Sequence, residues 1–157
     1  KKEVNMHDLF NRIASQSELM IQKREGQLVL KLMAADCVLE VDEMHMINLV
    51  TNLIDNALKY AKEDIHPVIE VSTHNHKQYL VISVKDNGIG MTKETVSKIF
   101  DKFYRAHTGD VHNVKGFGLG LNYTRKMVEA HQGTIDVQST LNKGSVFKIS
   151  IPLAHKL

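Results

Sequence analysis

Asn52-Leu53-Ile54-Asp55-Asn56-Ala57-Leu58-Lys59-Tyr60 is the stretch on which the reading of this 157-residue chain turns. It lies inside an apolar-periodic segment that opens at Asp42, an N-cap candidate, and runs to about Lys62. On a wheel of about 100° per residue, Asn52, Asn56, Lys59 and Tyr60 share one narrow face. Met46, Val50, Leu53, Ile54, Ala57, Leu58 and Ala61 fill a broad adjoining arc, which predicts a core-facing side. Thr51, Asp55 and Lys62 lie on a third face, read as solvated. A solvated helix face accommodates Asn and Lys without further reason. Yet asparagine is a poor helix-interior residue, because its amide competes for backbone hydrogen bonds. Two amides a turn apart, beside an ammonium and a phenol, suit a ligand that offers both acceptors and donors, such as a metal–phosphate.

The flanking sequence sets this helix in an alternating pattern. Before it, residues 5–24 have helical spacing (Met6, Leu9, Phe10, Ile13, Met20, Ile21), Gly26 marks a stop, and 27–33 and 38–41 read as strands. After it, 67–74 and 78–86 read as strands around a turn, 92–100 as a short helix capped by Thr92, and 104–117 as a flexible loop without hydrophobic period. Residues 118–131 are helical, ended by Gly133, and 134–140 and 145–153 close the chain as a hairpin. Strands separated by helices early and paired late predict a two-layer α/β sandwich with a mixed sheet.

Two glycine-rich loops carry the remaining chemistry. Asp86-Asn87-Gly88-Ile89-Gly90-Met91 follows an alternating strand. Glycines two apart permit positive φ and close approach of a ligand to the backbone, and an acid at the strand end can accept from a ligand amine; a plain Asp-Asn-Gly turn is the simpler alternative. Gly116-Phe117-Gly118-Leu119-Gly120-Leu121 precedes a helix, and free N–H groups at a helix start without Cβ obstruction suit phosphate. The sixth position is Leu121 rather than Gly, so this is no dinucleotide fingerprint. No Gly-x4-Gly-Lys-Ser/Thr occurs, which excludes a P-loop NTPase. In Ile99-Phe100-Asp101-Lys102-Phe103-Tyr104-Arg105, core packing accounts for the two Phe but less readily for Arg105.

Composition narrows the classes. The formal net charge is +2, which disfavours nucleic acid as a partner, and 43% hydrophobic residues suffice for a core. One cysteine, Cys37, excludes a disulfide framework and a four-cysteine zinc site, and reads as a small buried hydrophobe. No apolar run approaches the roughly 18 residues of a membrane helix. The chain has no signal-peptide pattern and no initiator Met, which predicts a cytoplasmic piece of a longer protein. His74, His76, His107 and His112 lack the acid or cysteine company of a zinc site.

Taken in order, these motifs resemble the catalytic, ATP-binding domain of sensor histidine kinases, in the superfamily that includes gyrase, the ninety-kilodalton heat-shock chaperone and mismatch-repair ATPases. The resemblance covers about residues 5–153. It implies a Bergerat-type fold, a mixed sheet packed on about three helices with a mobile ATP lid, occupying 1–157 as one domain. Asn52 to Tyr60 resembles the N box, implying that Asn56 gives its amide oxygen to Mg²⁺, Lys59 faces the phosphates and Tyr60 packs on adenine. Asp86 to Gly90 (including Gly88 and Ile89) resembles the box whose Asp accepts from the adenine amino group. Phe100 to Arg105, with Phe103, resembles the F box, whose Arg approaches the terminal phosphate. Lys115, Gly116, Phe117, Gly118, Leu119, Gly120 and Leu121 resemble the far end of the lid, and Ser145 in Lys143-Gly144-Ser145 falls near adenine through water. Asn52, Asn56, Lys59 and Arg105 are the implied catalytic set. Phe117 and Asn142 depart from the pattern, although Asn tolerates positive φ.

The implied function is Mg·ATP binding and donation of the γ-phosphate to a histidine on a separate helical dimerisation and phosphoacceptor domain. No acceptor segment occurs here, and His7 does not resemble one. A response-regulator receiver domain is the implied downstream partner, the parent a homodimer and the isolated domain a monomer. An ATP-hydrolysing conformational switch remains an alternative, but those relatives have Glu at the position of Asn52, and an amide cannot act as a base at neutral pH. A protein-serine kinase would use the same pocket with another acceptor, and a non-catalytic nucleotide-binding module would keep the same motifs.

Overall fold

The computed structural model describes residues 1–102 and 120–155. Its elements are β1 (Lys2–Asn5), α1 (Met6–Lys23), β2 (Gln27–Leu32), β3 (Val38–Val41), α2 (Glu43–Lys59), β4 (Val68–His76), β5 (Tyr79–Asp86), α3 (Lys93–Lys98), α4 (Gly120–Ala130), β6 (Thr134–Thr140) and β7 (Gly144–Pro152). Five strands form one sheet in the order β2-β4-β5-β7-β6, while β1 and β3 form a separate antiparallel pair. Only the β2–β4 pairing is parallel within the large sheet, so that sheet is mixed, as expected.

The core lies between one sheet face and the helices. Along β4, β5 and β7 the inward positions Ile69, Val71, Leu80, Ile82, Val84, Phe147, Ile149 and Ile151 are buried. They meet Leu9, Phe10 and Ile13 of α1, Leu49, Leu53 and Ile54 of α2, and Val128 of α4 in one apolar cluster. Alternation of period two on the strands and of 3.6 on the helices places these side chains on facing surfaces. The opposite sheet face carries polar pairs, with Lys31 Nζ 2.6 Å from the Glu70 carboxylate.

Capping follows the sequence closely at the helix starts. Asp42 accepts the His45 N–H at 3.0 Å, Asn5 accepts that of Asp8 at 3.1 Å, and Thr92 accepts that of Thr95 at 3.2 Å. The helix ends depart from expectation. α2 stops at Lys59 rather than near Lys62, with Tyr60 as its C-cap, because the Tyr60 carbonyl accepts the Ile89 N–H at 2.9 Å from the loop after β5. After α1 the left-handed residue is Glu25 (φ 52°), not Gly26. α3 is shorter than the segment 92–100.

Four helices are present among the described residues, against the expected three or so. β1 has no counterpart in the sequence reading, since Lys-Glu-Val-Asn has no strand pattern of its own; pairing with β3 forms it and buries Val4. Cys37 is half-buried rather than buried, its Sγ 3.4 Å from Asn5 Oδ1. The expected lid, 104–117, lies outside the described residues, as do Phe103, Arg105, Lys115, Gly116, Phe117, Gly118 and Leu119.

Candidate nucleotide site

β5, the middle strand of the sheet, ends on Asp86 near the C-terminal end of α2. The loop that follows is pressed against three other backbones. A Cβ on Gly88 would sit 2.5 Å from the Tyr60 carbonyl oxygen, and one on Gly144 would sit 2.0 Å from that of Asp86. Gly90 has φ +68°, and a Cβ there would sit only 2.0 Å from the Thr140 oxygen. The glycines are therefore needed for close approach of chain to chain, not only of ligand to chain. Asn142, at φ 68°, turns the β6–β7 connection and donates its N–H to Ile89 O at 2.6 Å. Asn87 reaches the other way: its Oδ1 accepts the Val68 N–H at 2.9 Å and its Nδ2 donates to His66 O at 3.1 Å.

Within this frame Asp86 Oδ1 accepts two backbone N–H groups, from Gly88 at 2.9 Å and from Ser145 at 3.3 Å. Burial pushes the Asp86 carboxyl above its ordinary pKa, and those two N–H groups pull it partly back. The carboxylate thus faces a recess where water solvates it poorly, a setting that favours a donor from a ligand.

The recess is a cleft between α2, the Asp86–Met91 loop, α3 and the β6–β7 turn. Of the residues named from sequence it brings together Asn56, Tyr60, Asp86, Ile89, Gly90 and Ser145. Gly88 is buried behind Asp86 and supports it. Met91, Thr92, Thr95, Ile99 and Leu141 also line it, beyond the site residues named from sequence. Thr92 carries a visible signal as a cap and Met91 ends the glycine loop itself; Thr95, Ile99 and Leu141 enter only because α3 and the β6–β7 turn fold over the loop.

The polar face of α2 divides. Asn56 opens into the cleft. Lys59 holds its ammonium 3.0 Å from Asp55, an i,i+4 pair that joins the polar face to the solvated third face. One turn earlier, Asn52 Nδ2 donates to Gly120 O at 2.8 Å and to Thr124 Oγ1 at 3.0 Å. Its two N–H groups anchor the first turn of α4, which gives a structural reason for an asparagine in the middle of a helix. Gly120 and Leu121 therefore stand beside α2, and Leu121 packs against the core. Phe100 packs edge-on against Phe147 with ring centroids 6.3 Å apart, and the Arg125 guanidinium lies over the Phe100 ring.

The donor set fits a hard cation held with a phosphate chain. Among the described residues no three His, Cys, Asp or Glu side chains cluster. A Mg²⁺ ion at Asn56 would take its other ligands from phosphate and water, the preference of that ion.

The model of the family "Histidine kinase-, DNA gyrase B-, and HSP90-like ATPase" matches residues 41–155. The chain is 45% identical over 152 residues to the sensor protein RprX of Bacteroides fragilis, covering 97% of this chain and 29% of that protein. It is 35% identical over 133 residues to the sensor histidine kinase WalK of Bacillus subtilis, covering 85% and 22%. It thus spans under a third of the length of these curated relatives. A nucleotide-free structure of the catalytic domain of histidine kinase ThkA superposes with a TM-score of 0.81 at 27% identity, covering 96% of this chain and 94% of that one. The order of motifs, the mixed sheet and these likenesses agree, and the chain belongs to the family of histidine kinase-, DNA gyrase B- and HSP90-like ATPases, as an ATP-binding domain of the sensor histidine kinase type.

Proposed function

We propose that this cleft binds Mg·ATP and presents the γ-phosphate to a histidine imidazole on a helical dimerisation and phosphoacceptor domain of a larger parent, with a response-regulator receiver domain next in the relay. The observation that carries the reading is Asp86: a half-buried carboxylate at the cleft floor, held by Gly88 and Ser145 and ready to accept from the adenine amino group. Guanine would set its acceptor oxygen against that carboxylate, leaving buried acceptors facing each other, which costs about 1–3 kcal/mol.

In this reading Tyr60, at the end of α2, lies beside the base. Asn56 holds the cation, which when bound neutralises phosphate charge. Lys59 exchanges Asp55 for phosphate, and Arg105 approaches the terminal phosphate. Catalysis is positioning and charge neutralisation for in-line attack, with the proton of the acceptor histidine taken by a base from the partner domain. Asn52 supports transfer over hydrolysis. It is no base, and both its N–H groups are used on Gly120 and Thr124. The parent is proposed as a homodimer with this domain in the cytoplasm.

Calorimetry with Mg·ATP, Mg·ADP and Mg·GTP tests the first half, with ATP expected to bind at least tenfold tighter than GTP. Phosphotransfer to a separately supplied histidine-bearing helical domain tests the second. Turnover of ATP to ADP at several per second by the chain alone would replace transfer with hydrolysis.

A further inference from the structure

Ser139 on β6 faces Ser145 on β7 in the register of the closing hairpin. Its hydroxyl meets three polar groups: the Met91 N–H at 2.8 Å, the Gly144 carbonyl at 3.0 Å and the Ser145 hydroxyl at 2.7 Å. A serine hydroxyl has one proton and two lone pairs. The Met91 N–H can only donate and the Gly144 carbonyl can only accept. Ser139 therefore accepts from Met91 and donates to Gly144, and its second lone pair takes the proton of Ser145. This is the one arrangement of protons that makes all three contacts hydrogen bonds.

The Ser145 rotor is then set from behind. Its proton points back to Ser139, and its lone pairs are left for the cleft, where Ser145 stands beside Asp86 with 7% of its surface exposed. Asp86 is itself an acceptor, with Oδ1 already held by two N–H groups. We propose that Ser139 is a positioning residue for base selectivity: it turns the Ser145 hydroxyl into an acceptor, so that the cleft floor pairs two acceptors against a 6-amino purine, or a water held by that amine, and disfavours a 6-oxo purine. The inference rests on the reading of the cleft as a purine site. Ser139 touches no ligand and acts through Ser145.

The test compares ATP with ITP, which carries oxygen at C6 and no 2-amino group, by equilibrium binding to the full chain with Mg²⁺. The Kd ratio of ITP to ATP is expected to fall about two- to tenfold in Ser139→Ala, because the freed Ser145 proton can turn to O6. Ser139→Thr, which keeps a hydroxyl, retains the parent ratio. Ser145→Ala lowers the ratio by itself, and Ser139→Ala added to it lowers the ratio no further. Equal loss of ATP and ITP affinity in Ser139→Ala would reduce Ser139 to a fold residue and overturn the proposal. An unchanged ratio in Ser145→Ala overturns it as well, even where Ser139→Ala does not fold. If the parent chain binds neither nucleotide, the purine reading falls first; if it binds both equally, the pairing of Asp86 with a 6-amino group falls together with the selectivity proposal; a parent preference for ATP that Ser139→Ala leaves unchanged overturns the Ser139 proposal alone.

Discussion

On the proposed nucleotide reading, the base end and the phosphate end of the cleft are built on different principles. At the base end, Asp86, Gly88, Gly90 and Gly144 are locked by backbone contacts so close that a single added carbon has no room. The polar groups there are held by main-chain or serine partners. At the phosphate end the polar groups sit on one helix beside the cleft, and side chains share in holding them: Asn52 with Thr124 as well as the Gly120 carbonyl, Lys59 with Asp55. A stiff floor suits recognition of a flat, rigid base. Exchangeable ion pairs suit a flexible, highly charged chain whose arrival must displace something. Preorganisation is thus concentrated where specificity is needed.

The strongest way to break this contrast is at the floor. Gly144→Ala or Gly90→Ala sets a Cβ 2.0 Å from a carbonyl oxygen, in a conformation that L residues rarely adopt. Each is expected to lower unfolding stability by about 3 kcal/mol or more and to abolish ATP binding, read by urea denaturation and calorimetry. Retained stability would show that the loops can slide apart.

Asp86→Asn separates fold from function at the same place. Asparagine keeps an oxygen for Gly88 and Ser145 but turns a donor into the cleft, so ATP affinity should fall at least tenfold. Burial holds the Asp86 pKa above its unfolded value, so the ionised carboxylate opposes folding at neutral pH and the opposition lifts as pH falls. The neutral amide removes that cost, so stability is expected to hold or rise; unchanged ATP affinity would take Asp86 out of the base site.

Asn52→Ala should behave in the opposite way. Loss of two donors to α4 is expected to cost about 1–2 kcal/mol of stability while ADP affinity without Mg²⁺ changes little. Asn56→Ala should instead weaken phosphotransfer more than ADP binding, measured with and without Mg²⁺. Equal effects of the two substitutions on both readouts would erase the division of α2.

The smallest expected effect lies away from the cleft. His7 Nε2 lies 2.8 Å from Thr73 Oγ1, and burial lowers the His7 pKa against the raising influence of Asp8. The unfolded chain then binds the extra proton first, so stability present above about pH 6.5 is lost as pH falls through that value toward the folded pKa. His7→Asn should flatten the stability slope between about pH 7 and 5, followed by thermal denaturation.

Much of this is legible in the residues because it is local. The Asp42 and Thr92 caps need only neighbouring N–H groups. The period from Asp42 to about Lys62 foretells both the core face of α2 and the polar stripe. Asp86 at a strand end follows from the alternation before it, and Asn142 is a residue type that tolerates its positive φ. What is not legible depends on partners distant in sequence. The end of α2 is set by Ile89, β1 exists because β3 pairs with it, and Asn52, read as catalytic, is held by Gly120 and Thr124. The helical wheel puts Lys59 on one face with Asn56, and its partner in the structure is Asp55.

Sequence alone determined the kinds of groups and their order: two amides and an ammonium on one helix, an acid before a glycine loop, a serine after a second glycine. Only the tertiary structure decided which atoms of those groups are committed to other parts of the chain. A hydrogen bond to a backbone about 70 residues away leaves no trace in local periodicity, yet it turns an amide into a brace.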